Sequence, residues 1–346
     1  MKFYTLKVIN ICFETKDCVT ILFKQPALKH ISYLAGQYLS LILHINGRRY
    51  VRPYSLSSAP GVDTTLNITV KRMPGGIVSN HIIDKLSIGD IIEVMEPMGD
   101  FTITDLIDAD ANLFLWGAGS GITPLISILK YALHGKKCRH ITLVYGNRDF
   151  NSVIFNKKIN DLKTQYHEAL SVWHFHSRLE ISKTNLSIVH GRINPEKVLK
   201  VLKEQSDIIN TIHYICGPQG LKDSIKKVLG IIGIDNNNIF TENFVITRNP
   251  EEFENIKTRD VILKRGGQTN KIEVIKGKSV LEAGLDCLID LPYSCQTGNC
   301  LICKGRLIKG GVKMIGLQKK PDELKPDEYL LCCTFPLNDE VEFNIQ

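Results

Sequence analysis

The chain is expected to fold as a multidomain protein: an antiparallel β-barrel, then an α/β domain on a parallel sheet, then a small α+β domain. Three observations predict this. Residues 1–105 read as short strands between turns. Segments 39–43 and 66–70 run apolar or alternate, and Gly36, Gly47, Gly61, Gly75, Gly76, Gly89 and Gly99 punctuate them, the pattern of a small barrel. Residues 106–244 alternate strand with helix. Strand candidates at 113–116, 141–145, 172–175 and 213–216 are interleaved with helices near 124–134 and 219–229, which implies a parallel sheet. Residues 259–346 restart with a hairpin-like pattern at 260–264 and 271–274, and residues 245–258, rich in Asn and Glu with one Pro, read as a linker.

Length and composition agree. A chain of 346 residues exceeds one ordinary core. No run of about 18 apolar residues offers a membrane span, and residues 1–7 alternate like a strand without a signal-peptide core. The net charge of +7 is modest and scattered, which disfavours nucleic-acid binding. Ten cysteines in a chain without an export signal point to reduced thiols and a cytoplasmic location.

Those cysteines carry the most specific signal. Cys295, Cys300 and Cys303 form a C-x4-C-x2-C run, with Cys332 and Cys333 far downstream. This is the plant-type spacing in which four thiolates hold a [2Fe–2S] cluster. Structural zinc prefers paired C-x2-C units, and the second pair is missing. Gly298 and Gly305 would let backbone N–H groups approach the cluster sulfurs. Spacing alone does not choose between Cys332 and Cys333 as the fourth ligand.

Two further constellations suit phosphates and rings. In the first domain Arg52-Pro53-Tyr54-Ser55 precedes Gly75-Gly76-Ile77-Val78-Ser79. Arg52 can neutralise a pyrophosphate, Tyr54 can lie on an aromatic ring, and Ser55 can hydrogen-bond a ring nitrogen. The Gly-Gly turn and Ser79 can cradle a phosphate at the start of a short helix. Alone, R-x-Y-S is equally an exposed Arg beside a core Tyr. In the second domain Gly117-Ala118-Gly119-Ser120-Gly121-Ile122-Thr123-Pro124 follows a strand directly. Thr123 is the expected N-cap and Pro124 suits the first turn. A glycine-rich turn at a helix N-terminus receives pyrophosphate readily, although a tight strand–helix turn needs no ligand. Because the spacing is not G-x-G-x-x-G and Arg148 follows the next strand, a dehydrogenase-type dinucleotide fold is disfavoured. Cys216-Gly217-Pro218 follows another strand and brings a thiol to the carboxyl edge of the sheet.

Taken in order, R-P-Y-S, G-G-x-V-S, G-A-G-S-G-I-T-P, Y-G-N-R, C-G-P and the cysteine motif resemble the ferredoxin–NADP⁺ reductase superfamily. The branch with a C-terminal plant-type ferredoxin domain, typified by the reductase subunits of phenylacetyl-CoA epoxidase and related oxygenase systems, is most similar. The resemblance implies a β-grasp fold for residues 259–346 and makes Cys332, four residues before Pro336, the fourth ligand. It implies FAD at Arg52, Tyr54, Ser55, Gly76, Val78 and Ser79. It implies nicotinamide binding at Gly119, Gly121, Thr123, Arg148, Cys216, Gly217 and Pro218. Glu242-Asn243-Phe244 matches an E-x-F in which the acid or the ring lies near the isoalloxazine.

The expected activity is electron transfer from NAD(P)H through FAD and the cluster to an oxygenase, with Ser55, Cys216 and Glu242 closest to the chemistry. His81, His174 and His176 are read as packing or surface residues. Ser177-Arg178 would suit a 2′-phosphate and the resemblance supports NADPH, whereas Glu180 could instead hydrogen-bond a free ribose hydroxyl. Rival readings are a reductase for a hybrid-cluster or haem protein, and a non-catalytic electron-transfer or sensing component.

Overall fold

A computed structural model describes residues 1–26, 30–103, 110–178, 188–204, 210–317 and 320–345. The chain divides into two compact units, Met1–Ile45 with Pro53–Glu242, and Asn46–Arg52 with Asn243–Gln346. The first unit holds most of the barrel together with the nucleotide domain.

The barrel strands are β1 (Phe3–Thr15), β2 (Cys18–Phe23), β3 (Tyr38–Ile45), β4 (Arg48–Ser55), β5 (Leu66–Lys71) and β6 (Ile91–Met95), with α1 (Ile77–Lys85) between the last two. Their order is β4-β3-β6-β1-β2-β5. Along β1, Leu6 and Val8 are buried while Lys7 and Ile9 face outward, the period of two that a one-sided sheet requires. Register shifts at Val8/Asn10 and Phe13/Thr15 bend this long strand, and an antiparallel bridge between Leu56 and Ile68 closes the curl beyond β4.

The second sheet comprises β7 (Asn112–Ala118), β8 (His140–Asn147), β9 (Leu170–His176), β10 (Ile188–His190), β11 (Thr211–Cys216) and β12 (Ile239–Glu242). All neighbours run parallel in the order β10-β9-β8-β7-β11-β12. Helices α2 (Ile122–Gly135), α3 (Asn156–Gln165), α4 (Pro195–Lys203) and α5 (Gln219–Ile231) connect them. Leu113 and Leu115 pack with α2 on one face, and Phe114 and Trp116 pack with α4 and α5 on the other. A strand buried on both faces explains the unbroken apolar run. The strand order reverses between β7 and β11, the switch point where open α/β sheets bind ligands. The barrel joins this domain through Ser127 Oγ donating to Ser58 O at 2.6 Å, Tyr214 Oη donating to Thr102 O at 2.9 Å, and a Lys130–Asp63 ion pair at 2.5 Å.

In the second unit β13 (Arg259–Arg265) and β14 (Gln268–Val274) form a hairpin whose turn residues Gly266 and Gly267 both have positive φ, as a two-residue type I′ turn demands. Helix α6 (Val280–Asp286) starts with a Ser279/Glu282 capping box. Strands β15 (Lys304–Lys309), β17 (Glu328–Leu330) and β19 (Val341–Ile345) complete the sheet β14-β13-β19-β15-β17, and β16 (Val312–Met314) pairs with β18 (Thr334–Pro336). A mixed sheet grasping one helix matches the expected β-grasp. Segment 245–258 departs from a plain linker: it holds a 3₁₀ turn, Pro250–Phe253, and Ile256 is buried with Ile315 and Phe335. Residues Asn46–Arg52 belong to this unit because the Tyr293 hydroxyl accepts the Val51 N–H at 3.0 Å, inside the segment that leads to Cys295.

Candidate functional site

On β4, Arg52 and Tyr54 lie on one face of the strand and Ser55 on the other, where it is buried. The Arg52 guanidinium donates to Val51 O at 2.8 Å and lies 5.9 Å from the Tyr50 ring. Downstream, Gly75 is left-handed and Gly76 caps α1 without a side-chain hydrogen bond, so first-turn N–H groups stay open for an anion. A Cβ on Gly76 would lie 2.8 Å from Ser79 Oγ and 3.2 Å from Met73 O. Ser79 Oγ accepts from Met73 N–H at 3.1 Å, and Val78 and Ser79 are buried. This close turn fits a phosphate.

At the switch point, β7 runs through a 3₁₀ turn, Gly119–Gly121, into α2. The structure corrects the expected cap. Gly121 is the N-cap, and Thr123, already inside the helix, donates Oγ1 to Ser120 O at 2.9 Å. No side chain caps α2, but the Ile122 N–H turns back to Gly119 O and Ser120 O, and Pro124 carries no N–H. Gly121 is glycine for space: its φ of −62° suits any residue, but a Cβ would lie 2.1 Å from Cys216 O and 3.0 Å from Gly217 N. The turn after β7 and the Cys216-Gly217-Pro218 turn after β11 are therefore in contact. Tyr145, the first residue of Y-G-N-R, donates Oη to Gly119 O at 2.9 Å and fixes that turn. No local pattern signals this role.

Cys216 is buried and stands opposite Glu242 in the β11–β12 register. Burial, and then the Glu242 charge, push the Cys216 thiol well above its ordinary range, so it is no nucleophile here. Glu242 is half-buried as a residue, yet its Oε2 is shut off from solvent and has no hydrogen-bond partner. Burial raises this carboxyl to about 8. An orphaned acid beside a thiol at the sheet edge fits a ring-bearing ligand. The sign of the pH effect follows. The folded chain keeps the Glu242 proton from about pH 4.5 to about 8, where the unfolded chain has lost it, so stability falls as pH rises through that window. Thermal unfolding of wild type and Glu242→Gln from pH 5 to 8 should show a fall in the wild type that the variant lacks. Parallel curves would contradict it.

Ser177 and Arg178 follow β9, their N–H groups bonded to Asn147 O and Arg148 O. Arg178 is 65% exposed and pairs with Asp149 at 3.1 Å; Arg148 pairs with Asp17 at 3.5 Å. Exposed pairs of this kind hold little energy, so both guanidinium groups can turn to a phosphate. Glu180 lies outside the described residues. His174 and His176 line a small cavity with Phe150, Val153 and Ile188, and His81 lies on α1, two residues beyond Ser79. Phe244 is 47% exposed.

In the second unit Cys295 Sγ accepts N–H groups from Thr297 and Cys300, both at 3.4 Å, and Cys300 Sγ accepts from Cys295 N at 3.5 Å. Gln296, Gly298 and Leu301 all adopt positive φ. For the two non-glycines this costs of order 1 kcal/mol each, strain of the kind stored at ligand clamps. The Cys300 thiol, with those N–H groups, lowers the Cys295 thiol toward the thiolate that a ligand needs. Cys303 is hydrogen-bonded to Cys332. Among the described residues no three His, Cys, Asp or Glu side chains converge on a single-ion position. The sulfurs fall instead into the pairs Cys295/Cys300 and Cys303/Cys332, the division a two-iron cluster needs.

Comparison with known proteins identifies three modules. Residues 5–103 match the oxidoreductase FAD-binding domain, 115–227 the oxidoreductase NAD-binding domain, and 263–337 the 2Fe-2S iron-sulfur cluster binding domain. One of the subunits of the 1,2-phenylacetyl-CoA epoxidase of Escherichia coli K12 is 31% identical over 98% of this chain and 96% of its own. The chain belongs to the ferredoxin–NADP⁺ reductase superfamily. Within that superfamily, the ferredoxin reductase component of the Rhodococcus rhodochrous 3-ketosteroid-9-alpha-monooxygenase is 30% identical over 97% of this chain and 95% of its own. In fold, the chain is similar to phthalate dioxygenase reductase, with a TM-score of 0.68 at 24% identity over 99% of this chain and 98% of that one. This reductase is accordingly an oxidoreductase of the electron-transfer type found in oxygenase systems, with FAD, a nicotinamide dinucleotide and a [2Fe–2S] cluster as cofactors. No helix among the described residues is long and apolar enough to cross a membrane.

Proposed function

We propose that this reductase takes electrons from NADPH and delivers them to a separate oxygenase of the phenylacetyl-CoA epoxidase kind, in the cytoplasm. The observation that carries it is the likeness, along nearly the whole chain, to a component of such an epoxidase, together with the three modules found here in one chain. When bound, the flavin accepts electrons as a pair and releases them singly, which matches a two-electron donor to a one-electron cluster.

The chain's own residues supply position. The Gly76–Ser79 turn binds the flavin pyrophosphate, Tyr54 and Val78 cover its ring, and Ser55 hydrogen-bonds a ring nitrogen. Gly119, Gly121 and Thr123 border the coenzyme pyrophosphate at the turn that leads into α2. Cys216, with Gly217 and Pro218, borders the nicotinamide. Glu242, neutral below about pH 8, leaves that pocket uncharged and can donate a hydrogen bond from its protonated oxygen. Cys295, Cys300, Cys303 and Cys332 hold the cluster. Ten unpaired cysteines suit a reducing compartment.

Ser177 and Arg178 bind the 2′-phosphate that distinguishes NADPH. A charge-assisted hydrogen bond contributes about 1.5–3 kcal/mol, so Arg178→Ala should cut kcat/KM for NADPH by about ten-fold or more and leave NADH nearly unchanged. Steady-state reduction of cytochrome c with each coenzyme checks this. Equal loss for both would overturn the NADPH assignment, and no oxidation of either coenzyme would overturn the activity.

A further inference from the structure

The adjacent cysteines Cys332 and Cys333 lie in one 3₁₀ turn, Leu331–Cys333, between β17 and β18. Their sulfurs are 3.5 Å apart. Cys332 faces Cys303, whereas Cys333 is fully buried against the cysteine loop. Gly298 shows how near that loop lies: a Cβ there would be 3.1 Å from Cys333 Sγ. Ile315 and Phe335 are also fully buried, and Ile315 N–H donates to Cys333 O at 2.8 Å.

A thiol carries one weak donor and a weak acceptor. With no solvent at Cys333, its S–H has only protein acceptors within reach, and the hydrogen-bond partner its sulfur has among the described residues is Cys332 Sγ. When Cys332 is a thiolate ligand it has no proton to give, so the direction of this hydrogen bond is settled: Cys333 donates. Hydrogen bonds to the ligand sulfurs are a lever on the potential of an iron–sulfur cluster. A donor offsets negative charge on the sulfur, and the reduced cluster carries one more negative charge than the oxidised one. The bond therefore strengthens on reduction.

We propose that Cys333 is a positioning residue for electron transfer, whose S–H donates to the Cys332 thiolate and keeps the cluster easier to reduce by the flavin. This rests on the reading that Cys332, and not Cys333, is the fourth ligand. The neighbouring thiol, which the spacing offers only as a rival ligand, becomes a tuning group for the same cluster.

The test is a redox titration of the full-length, cofactor-loaded protein, followed by the electron paramagnetic resonance of the reduced cluster. Cys333→Ala and Cys333→Val remove the donor, the second while filling the space; Cys333→Ser retains one. At a fixed potential the ratio of reduced to oxidised cluster should fall about three-fold or more in the Ala and Val variants, and return toward wild type in the Ser variant. Unchanged ratios in Ala or Val, or a fall in Ser as large as theirs, overturn the inference while leaving the ligand set intact. If neither Ala nor Val assembles a cluster and Ser does, a donor at this position is required and the inference stands. If Cys332→Ser keeps the cluster and Cys333→Ser loses it, the ligand assignment itself has failed, and the tuning role falls with it.

Discussion

Cys300→Ser is expected to abolish the visible iron–sulfur absorption while leaving the flavin spectrum in place. Cys300 does two things in the loop: its sulfur takes the Cys295 N–H, and its own N–H donates to Cys295 Sγ. A serine oxygen is a poorer ligand for iron and sits closer to the backbone, so one cluster corner is lost. The flavin turn at Gly76 belongs to the other compact unit. Reduction of cytochrome c, fed by the cluster, should then fall about a hundred-fold, while ferricyanide, which takes electrons directly from flavin, should change by no more than about two-fold. Parallel assays of both acceptors decide it. Equal loss of the two activities would mean that the flavin and cluster halves do not work as separate carriers.

The second large effect is expected from Gly121→Ala. The added methyl would lie 2.1 Å from the Cys216 carbonyl oxygen and 2.6 Å from its carbon. Both are backbone atoms of a buried strand end, so no side chain can move aside. The turn after β7 must part from the turn after β11 by about 1 Å, and a shift of that size at a binding site can cost about a hundred-fold in rate. Overpacking adds about 1–3 kcal/mol of instability. We expect kcat/KM for NADPH to fall about a hundred-fold, with the flavin and cluster spectra unaltered. Gly220→Ala is the control. It stands in the first turn of α5, near the same edge, with nothing within 4 Å of the new Cβ, so its stability should change by less than about 1 kcal/mol. Similar kinetics for the two variants would show that the contact with Cys216 is not what requires glycine at 121.

Much of the fold was legible because it is written in short-range periods. Strand alternation in β1, the two-sided apolar run of β7 and the helical spacing of α2 each follow from how successive side chains point. The hairpin at Gly266-Gly267 and the loop Cys295–Cys303 are likewise local, since backbone conformation and ligand spacing are both set within ten residues. Thr123 shows the limit of local reading. Its type suits a cap, but the 3₁₀ turn at Gly119–Gly121 lets the helix begin before it.

What the sequence determined by itself is therefore the order of three modules, the glycine-rich turns after β5 and β7, and a cysteine loop with the spacing of a two-iron site. The tertiary structure decided which distant groups meet. Gly121 and Cys216 are far apart in the chain and meet only because β11 pairs with β7. Arg178 meets Asp149 through the β8–β9 pairing. Asn46–Arg52 is gathered into the second unit by the Tyr293 hydroxyl. Of two adjacent cysteines, Cys332 faces Cys303 and Cys333 lies beneath the loop. One step in sequence leaves spacing almost unchanged, but around a 3₁₀ turn it rotates the side chain by about a third of a circle, so packing, and not spacing, sets which sulfur turns toward the other ligands.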